Sequence, residues 1–336
     1  MEARRLLMTV IRSNLKSGLK LGLAAGLACG LALGLPGGAA RSQAVSIGAL
    51  PQGSLSYAIA AAVAKVIGDK TDLTTRAIGV GGSNIYIPQV NQNKLQMSTS
   101  AAIEAIFAST GTGSFDGRKN PDLRVLARLL EFQVGFMVKK DSSITALTDF
   151  KGQNFPSGFT SQKLVGTLVS AAFATEGMSF SDIKGVPVPN FVRGTDELVA
   201  GRTVGSFLAP GSGVVRKAHA KVGIRFISMK AVPSTLGTLQ KIAPAAYFTT
   251  VKPSKRMPYI TKPVKMIGFD YLILTNSKVS DEVAYKAAKA LHQNKKALIA
   301  AHGVFRGFKP KLINKKGLKV AFHPGAVKYY KEAGLN

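Results

Sequence analysis

From Val45 onward, short runs of β-branched and apolar residues alternate with stretches whose apolar positions recur every three or four residues. That alternation predicts an α/β fold assembled from strand–helix units. Residues 45–50 read as a strand, and Gly53-Ser54-Leu55-Ser56 as the turn that follows. Ile59, Ala62, Val63, Val66 and Ile67 then form one apolar stripe, predicting a helix stopped by Gly68. A second strand is expected over 73–80, opening into Gly81-Gly82-Ser83-Asn84. A third, over 95–97, opens into Ser98-Thr99-Ser100, with Ser100 capping a helix that carries Ile103, Ile106 and Phe107. Two separate strands are expected at 123–130 and 133–139. A second strand–turn–helix unit follows Gly152, with Leu164, Leu168, Ala171 and Ala172 on one helix face and Gly177 closing it. Residues 203–209 are strand-like and end in Pro210-Gly211-Ser212-Gly213; residues 266–275 are also β-like. Ser280 caps a long helix with Asp281 and Glu282 in its first turn and Lys295 and Lys296 near its end. Those charges complement the helix dipole.

Ahead of this pattern lies a segment of another kind. Arg4, Arg5, Arg12, Lys16 and Lys20 precede an apolar run over 21–35, and Ser42-Gln43-Ala44 then offers small residues at the minus-three and minus-one positions. A positive segment, a short greasy segment and a small-residue site predict that residues 1–44 are a cleaved export signal, and that the protein works outside the cytoplasm. An uncleaved anchor needs about twenty apolar residues, and this run is shorter and rich in Gly and Ala. Arg4-Arg5 lacks the flanking pattern of twin-arginine export. Cys29 sits inside the apolar run, with Gly26 where a lipid-attachment site favours Leu, and is read as part of the greasy core.

Composition narrows the class further. Cys29 is the only cysteine, so after export neither a disulfide nor thiol chemistry remains. The chain left after residue 44 suffices for two lobes of about 150 residues each. Forty-five basic residues stand against 17 acidic ones, a formal charge of +28. The lysines are scattered, aromatic residues make up only 7% and Trp is absent. Those features argue against nucleic-acid binding and for a solvated basic surface that attracts anions.

Candidate chemistry concentrates at four polar junctions: Gly53-Ser54, Gly82-Ser83-Asn84, Ser98-Thr99 and Thr160-Ser161. In an open α/β sheet, ligands sit beyond the carboxyl ends of strands, where helix starts present unpaired N–H groups suited to a carboxylate. Ser54, Tyr57, Gly82, Ser83, Asn84, Ser98, Thr99, Ser161 and Gln162 are therefore expected to line one cleft. Enzyme signatures are poor. Gly79-Val80-Gly81-Gly82 leaves the last glycine of a dinucleotide fingerprint unfilled, and no phosphate-cradling loop or Gly-x-Ser-x-Gly elbow appears. His219, His292, His302 and His323 never reach the i, i+4 spacing of a helical zinc pair, and His323 before Pro324-Gly325 is expected to hold a turn. No cofactor, metal or catalytic residue is expected. The ligand expected is a small carboxylate, bound mainly by neutral donors with at most one of Arg76, Arg124, Arg128 and Arg193.

The order of short motifs resembles the TAXI branch of TRAP-transporter solute receptors. It runs from Ile47-Gly48 through Gly53-Ser54-Leu55-Ser56-Tyr57 and Gly81-Gly82-Ser83-Asn84 to Asp149-Phe150-Lys151-Gly152 and Leu198-Val199-Ala200-Gly201. The tail from His323-Pro324-Gly325 to Tyr329-Tyr330-Lys331-Glu332-Ala333-Gly334 is the nearest match. The resemblance covers nearly all of the chain after the signal. It implies a two-lobed periplasmic-binding-protein fold of type II, with 45–130 as the first part of lobe 1, 131–235 as lobe 2 and 236–336 returning to lobe 1. It also implies a monomer that passes a dicarboxylate or acidic amino acid to a TRAP-type permease. Departures fall near the junctions: Gly53-Ser54-Leu55-Ser56-Tyr57 replaces the usual Gly-Thr-Tyr-Tyr, and Gly158-Phe159-Thr160-Ser161-Gln162 replaces a Gly-Ser-Gly turn. Two other classes stay open, a secreted hydrolase or transferase and a sensor that presents its ligand to a signalling partner.

Overall fold

The first apolar run becomes β1 (Ala44–Ala49), buried from Val45 onward. The computed structural model describes residues 44–335, so the expected signal, apart from Ala44, lies outside the described residues. Ser54 caps α1 (Leu55–Lys70) by accepting the Tyr57 N–H at 3.0 Å, and the expected apolar stripe is buried. Gly68 does not stop this helix, which runs on to Lys70. A Cβ there would stand 2.8 Å from Thr75 Oγ1, and Thr75 donates its hydroxyl to the Ala64 carbonyl. Gly68 thus marks where β2 (Thr74–Gly79) presses on the helix.

After α2 (Ser83–Asn91) comes β3 (Met97–Ala101), later than expected. Ser98, Thr99 and Ser100 are not its polar exit but its buried interior, and Ser100 caps nothing. Thr99 Oγ1 lies 2.9 Å from Ser56 Oγ, and Ser100 donates to the Ala101 carbonyl, so two of these hydroxyls are satisfied inside the fold. The cap of α3 (Ala102–Thr110) is Ala101, whose methyl group can accept no hydrogen bond. The two strands expected next are one, β4 (Leu123–Lys139). Polar Glu131 does not interrupt it, because its carboxylate accepts from Gln133 at 2.8 Å, Thr249 at 2.6 Å and Tyr247 at 3.2 Å.

The second unit contains β5 (Asn154–Gly158), α4 (Lys163–Ala174), β6 (Lys184–Val188), α5 (Phe191–Val199), β7 (Gly205–Leu208), α6 (Gly213–Val222) and β8 (Ile224–Phe226). The chain returns through α7 (Pro233–Ile242) and β9 (Tyr247–Val251) to β10 (Val264–Asn276). Ser280 caps α8 (Asp281–Gln293) as expected, but the helix ends there; Asn294 leaves helical geometry and Lys295 begins α9 (Lys295–Ala301). In α10 (Pro324–Glu332), His323 is the cap: Nδ1 accepts from the Gly325 N–H and Nε2 donates to the Val279 carbonyl. That is the turn-holding role expected of it.

The architecture is α/β, as the alternation predicts. The main sheet runs β2-β1-β3-β10-β4-β7, with β9 added on β10 and β8 on β4, while β5 and β6 pair separately. Strand β4 joins the two parts: residues 123–134 lie antiparallel to β10, and residues 135–139 pair with β7 and β8. Between β4 and β10, Arg128 Nε and Nη2 reach Asp270 Oδ1 at 3.0 and 2.9 Å, both side chains being 8% exposed. Lys315 takes the other oxygen at 2.5 Å.

The core of the second part is aromatic. Phe136 lies 4.8 Å from Phe207, 5.7 Å from Phe150 and from Phe173, and 5.8 Å from Phe155, by ring centroids. Removing so large a buried ring leaves a cavity that its neighbours fill only in part. Phe136→Ala is expected to lower unfolding free energy by about 3–5 kcal/mol, read from the midpoint shift in urea at unchanged slope.

Candidate functional site

Six helices begin at one place. Helices α1, α2 and α3 follow β1, β2 and β3; α4, α5 and α6 follow β5, β6 and β7. Ser54, Ser83, Glu104, Gln162, Phe191 and Ser212, one from the cap or first turn of each, all line a cavity of about 60 Å³. Each helix start brings the partial positive charge of its dipole to the cavity wall, although some first-turn N–H groups are already engaged, Tyr57 by Ser54, Phe191 by Gln162 and Val214 by the Gly53 carbonyl. Among the described residues lining it there is no Lys, Arg or His, so the positive field arises from backbone alone. Ordinary ligand sites occupy about 300–1,000 Å³, so a solute must part these walls to fit.

The polar groups divide into two sets. Toward the second part, Gln162 Oε1 accepts the Phe191 N–H at 3.2 Å. Ser212 caps α6 without a side-chain bond to it, and its buried hydroxyl has no hydrogen-bond partner. Toward the first part, Ser83 donates to Glu104, and Ser56 Oγ lies 2.9 Å from Thr99 Oγ1 with the Tyr86 and Tyr271 hydroxyls beside the pair. Glu104 is buried in the cavity wall, and burial pushes its carboxyl up to about 7, against the opposing hydrogen bonds from Ser83 and the Ala101 backbone. Burial likewise raises both tyrosines. The remaining wall is apolar, including Phe132 with Phe269 stacked at 5.5 Å, Val134, Leu164, Leu168 and Phe207.

Of the expected site residues, Ser54, Ser83 and Gln162 line the cavity. Gly82 and Ser161 meet across the two parts: a Cβ on Gly82 would stand 1.3 Å from the Ser161 carbonyl oxygen. Thr99 is not itself in the lining and reaches the cavity wall through Ser56 and the Tyr86 and Tyr271 hydroxyls. Tyr57 is half-buried against Gly79 and accepts from Gln52 Nε2 at 3.3 Å, away from the cavity lining. Asn84 also stands outside the lining, its Oδ1 buried without a partner, and Ser98 lies in mid-strand with its hydroxyl unpartnered. None of the four arginines reaches the cavity: Arg76 bonds Ser46, Arg124 backbone carbonyls, Arg128 Asp270 and Arg193 Asp196.

Sequence reasoning missed Glu104, Ser212, Ser56, Tyr86 and Tyr271. Ser212 carried a usable signal, since Pro210-Gly211-Ser212-Gly213 repeats the Gly-Ser junction seen at Gly53-Ser54. Glu104 carried a fainter one, a lone carboxylate in the first turn of an otherwise apolar helix.

Two α/β parts joined by long strands, with helix starts facing a shared cavity, define the fold of the periplasmic solute-binding proteins. The chain belongs to the NMT1-like family, whose model matches residues 47–334. Among solved structures, the periplasmic binding protein BugD aligns with a TM-score of 0.54 at 11% identity, covering 88% of this chain and 98% of that one. A structure described as a periplasmic transporter gives 0.53 at 14% identity, covering 88% and 94%. MatC from Rhodopseudomonas palustris with bound malate gives 0.52 at 12%, covering 88% and 97%. At these identities the likeness is one of fold. Among the described residues no helix is long and apolar enough to cross a membrane, and no three His, Cys, Asp or Glu residues cluster as metal ligands would.

The Gly82–Ser161 contact makes a sharp prediction. Gly82→Ala places a methyl group on a backbone oxygen that has no rotamer to yield, so the two parts must separate locally. Such overpacking costs about 1–3 kcal/mol. The variant should melt earlier and scatter X-rays as a more open particle; an unchanged scattering profile and melting temperature would refute the close approach.

Proposed function

We propose that this protein is an extracytoplasmic solute receptor that closes on a small carboxylate-bearing solute and delivers it to a TRAP-type permease. The observation that carries the reading is the convergence of six helix starts on one cavity, where the Ser212 hydroxyl is buried without a partner. Backbone N–H groups at helix starts favour carboxylate oxygens, and a buried unpaired hydroxyl is a donor waiting for an acceptor. Proteins of this fold have been solved with malate and bound to arginine, both of which carry a carboxylate. The TAXI branch and the permease rest on the motif order described above, which also implies dicarboxylates and acidic amino acids as ligands. Residues 45–130 with 236–336 form the first lobe and 131–235 the second, with opening centred where β4 changes partners.

Export completes the proposal. Cleavage after Ala44 makes Val45 the first residue of the mature monomer, and Val45 is already buried in β1. N-terminal sequencing of the periplasmic protein should begin at Val45; a start at Arg41 would move the site to Ala40.

The binding reading is tested by calorimetry against carboxylates, amino acids and sugars. A lost hydrogen bond to a charged group weakens binding by about 1.5–3 kcal/mol, so Ser212→Ala should reduce affinity roughly ten- to a hundredfold. Tight binding of a neutral sugar, or full affinity in Ser212→Ala, would overturn the reading.

A further inference from the structure

Within the class of carboxylate-bearing solutes, the cavity discriminates further, and this step rests on the receptor reading above. Glu104 is the one Asp, Glu, Lys, Arg or His among the described residues lining the cavity. Its neighbours there are hydroxyls: Ser83 from α2, which donates to it, Tyr86 from α2 and Tyr271 from β10. A carboxylate buried without a cation is costly, and it resolves that cost by taking a proton or by gaining a positive partner. A ligand carboxylate placed beside it would repel the ionised form. The α6 start, with the unpartnered Ser212 hydroxyl, receives a carboxylate instead.

Apart from Ser54, Ser56 and Gln162, the remaining wall offers a second negative group nothing to bond. Phe132, Val134, Leu164, Leu168, Phe207 and Phe269 supply no donor to a distal carboxylate, and burying one there unpaired would cost far more than burying a hydrocarbon chain. We infer that the ligand is a zwitterionic α-amino acid with an apolar side chain. Glu104 accepts its ammonium group, Ser212 and the α6 start hold its carboxylate, and the aromatic and aliphatic wall takes the side chain. Dicarboxylates and acidic amino acids are thereby disfavoured.

Opposite pH slopes separate the alternatives. An ammonium ligand needs ionised Glu104, so its affinity falls on acidification. A ligand presenting only carboxylate gains from protonated Glu104, which donates a hydrogen bond, so its affinity rises. The carboxyl titrates near 7, which puts the change between pH 5.5 and 8.

Calorimetry on the purified protein would use L-leucine, 4-methylpentanoate (the same skeleton without the ammonium group), succinate and L-glutamate at both pH values. Leucine is expected to bind about ten- to a hundredfold more tightly than 4-methylpentanoate at pH 8, and to weaken about tenfold or more at pH 5.5. In Glu104→Gln the advantage of leucine should disappear and its pH dependence flatten. The pH arm needs only the wild-type chain, so it decides even if the variant fails to fold. Binding of succinate or glutamate in place of leucine would overturn this inference while leaving the receptor reading intact. Binding of none of the carboxylates would remove both. Leucine binding with no pH slope would overturn the role of Glu104.

Discussion

The antiparallel pairing of β4 with β10 is the constraint on which the rest of the molecule depends. It runs from Leu123 opposite Asn276 to Val134 opposite Ile267. On one side β10 carries β3 and β9, and beyond its partnership with β10 the same β4 carries β7 and β8. Arg128 and Asp270 tie the two strands together inside the fold; losing Asp270 would leave the buried Arg128 guanidinium unpaired, a defect of about 3–5 kcal/mol, whereas losing Arg128 would leave Asp270 with Lys315. The ladder is also irregular where it matters. Register shifts fall between Tyr271 and Leu272 and between Ile273 and Leu274. Such irregularities re-aim side chains, and Tyr271, Phe269 and Phe132 from this pair all face the cavity.

The cavity combines two effects that usually occur apart. Helix starts supply a positive field without a cation, and a buried carboxyl sits within that field without a salt bridge. The helix starts alone would be unremarkable, because any open α/β sheet gathers them beyond its strand ends. Glu104 and the unpartnered Ser212 hydroxyl make this one chemically particular. They give the two sides different demands, an acceptor on the first part of the chain and a donor on the second, so a solute with both polarities bridges them.

Much of the fold was legible because its signals are local. The α1 stripe, the Ser280 cap and the junctions after β1 and β2 follow from spacing that neighbouring residues determine. Errors arose where a distant contact reversed the local preference. Ser98-Thr99-Ser100 looks like a turn until Ser56 is brought against Thr99. Glu131 looks like a break until Thr249 and Tyr247 surround it. Gly68 looks like a terminator until Thr75 fills the space over it. The site was half legible for the same reason: Ser54, Ser83 and Gln162 announce themselves at helix starts, whereas a single glutamate in an apolar helix acquires meaning only when its surroundings are known.

Strand order also governs when the molecule can become itself. Strand β3 lies between β1 and β10, and the Thr275 hydroxyl donates to the Gln96 carbonyl across 179 residues of chain. A chain emerging from its N-terminus therefore makes β1, β2 and β3 long before the strand that completes their sheet exists. Closing so large a loop is entropically slow, and folds dominated by distant pairings form slowly. The early third of the polypeptide therefore carries an unpaired β3 edge until the last hundred residues, which include β10, arrive.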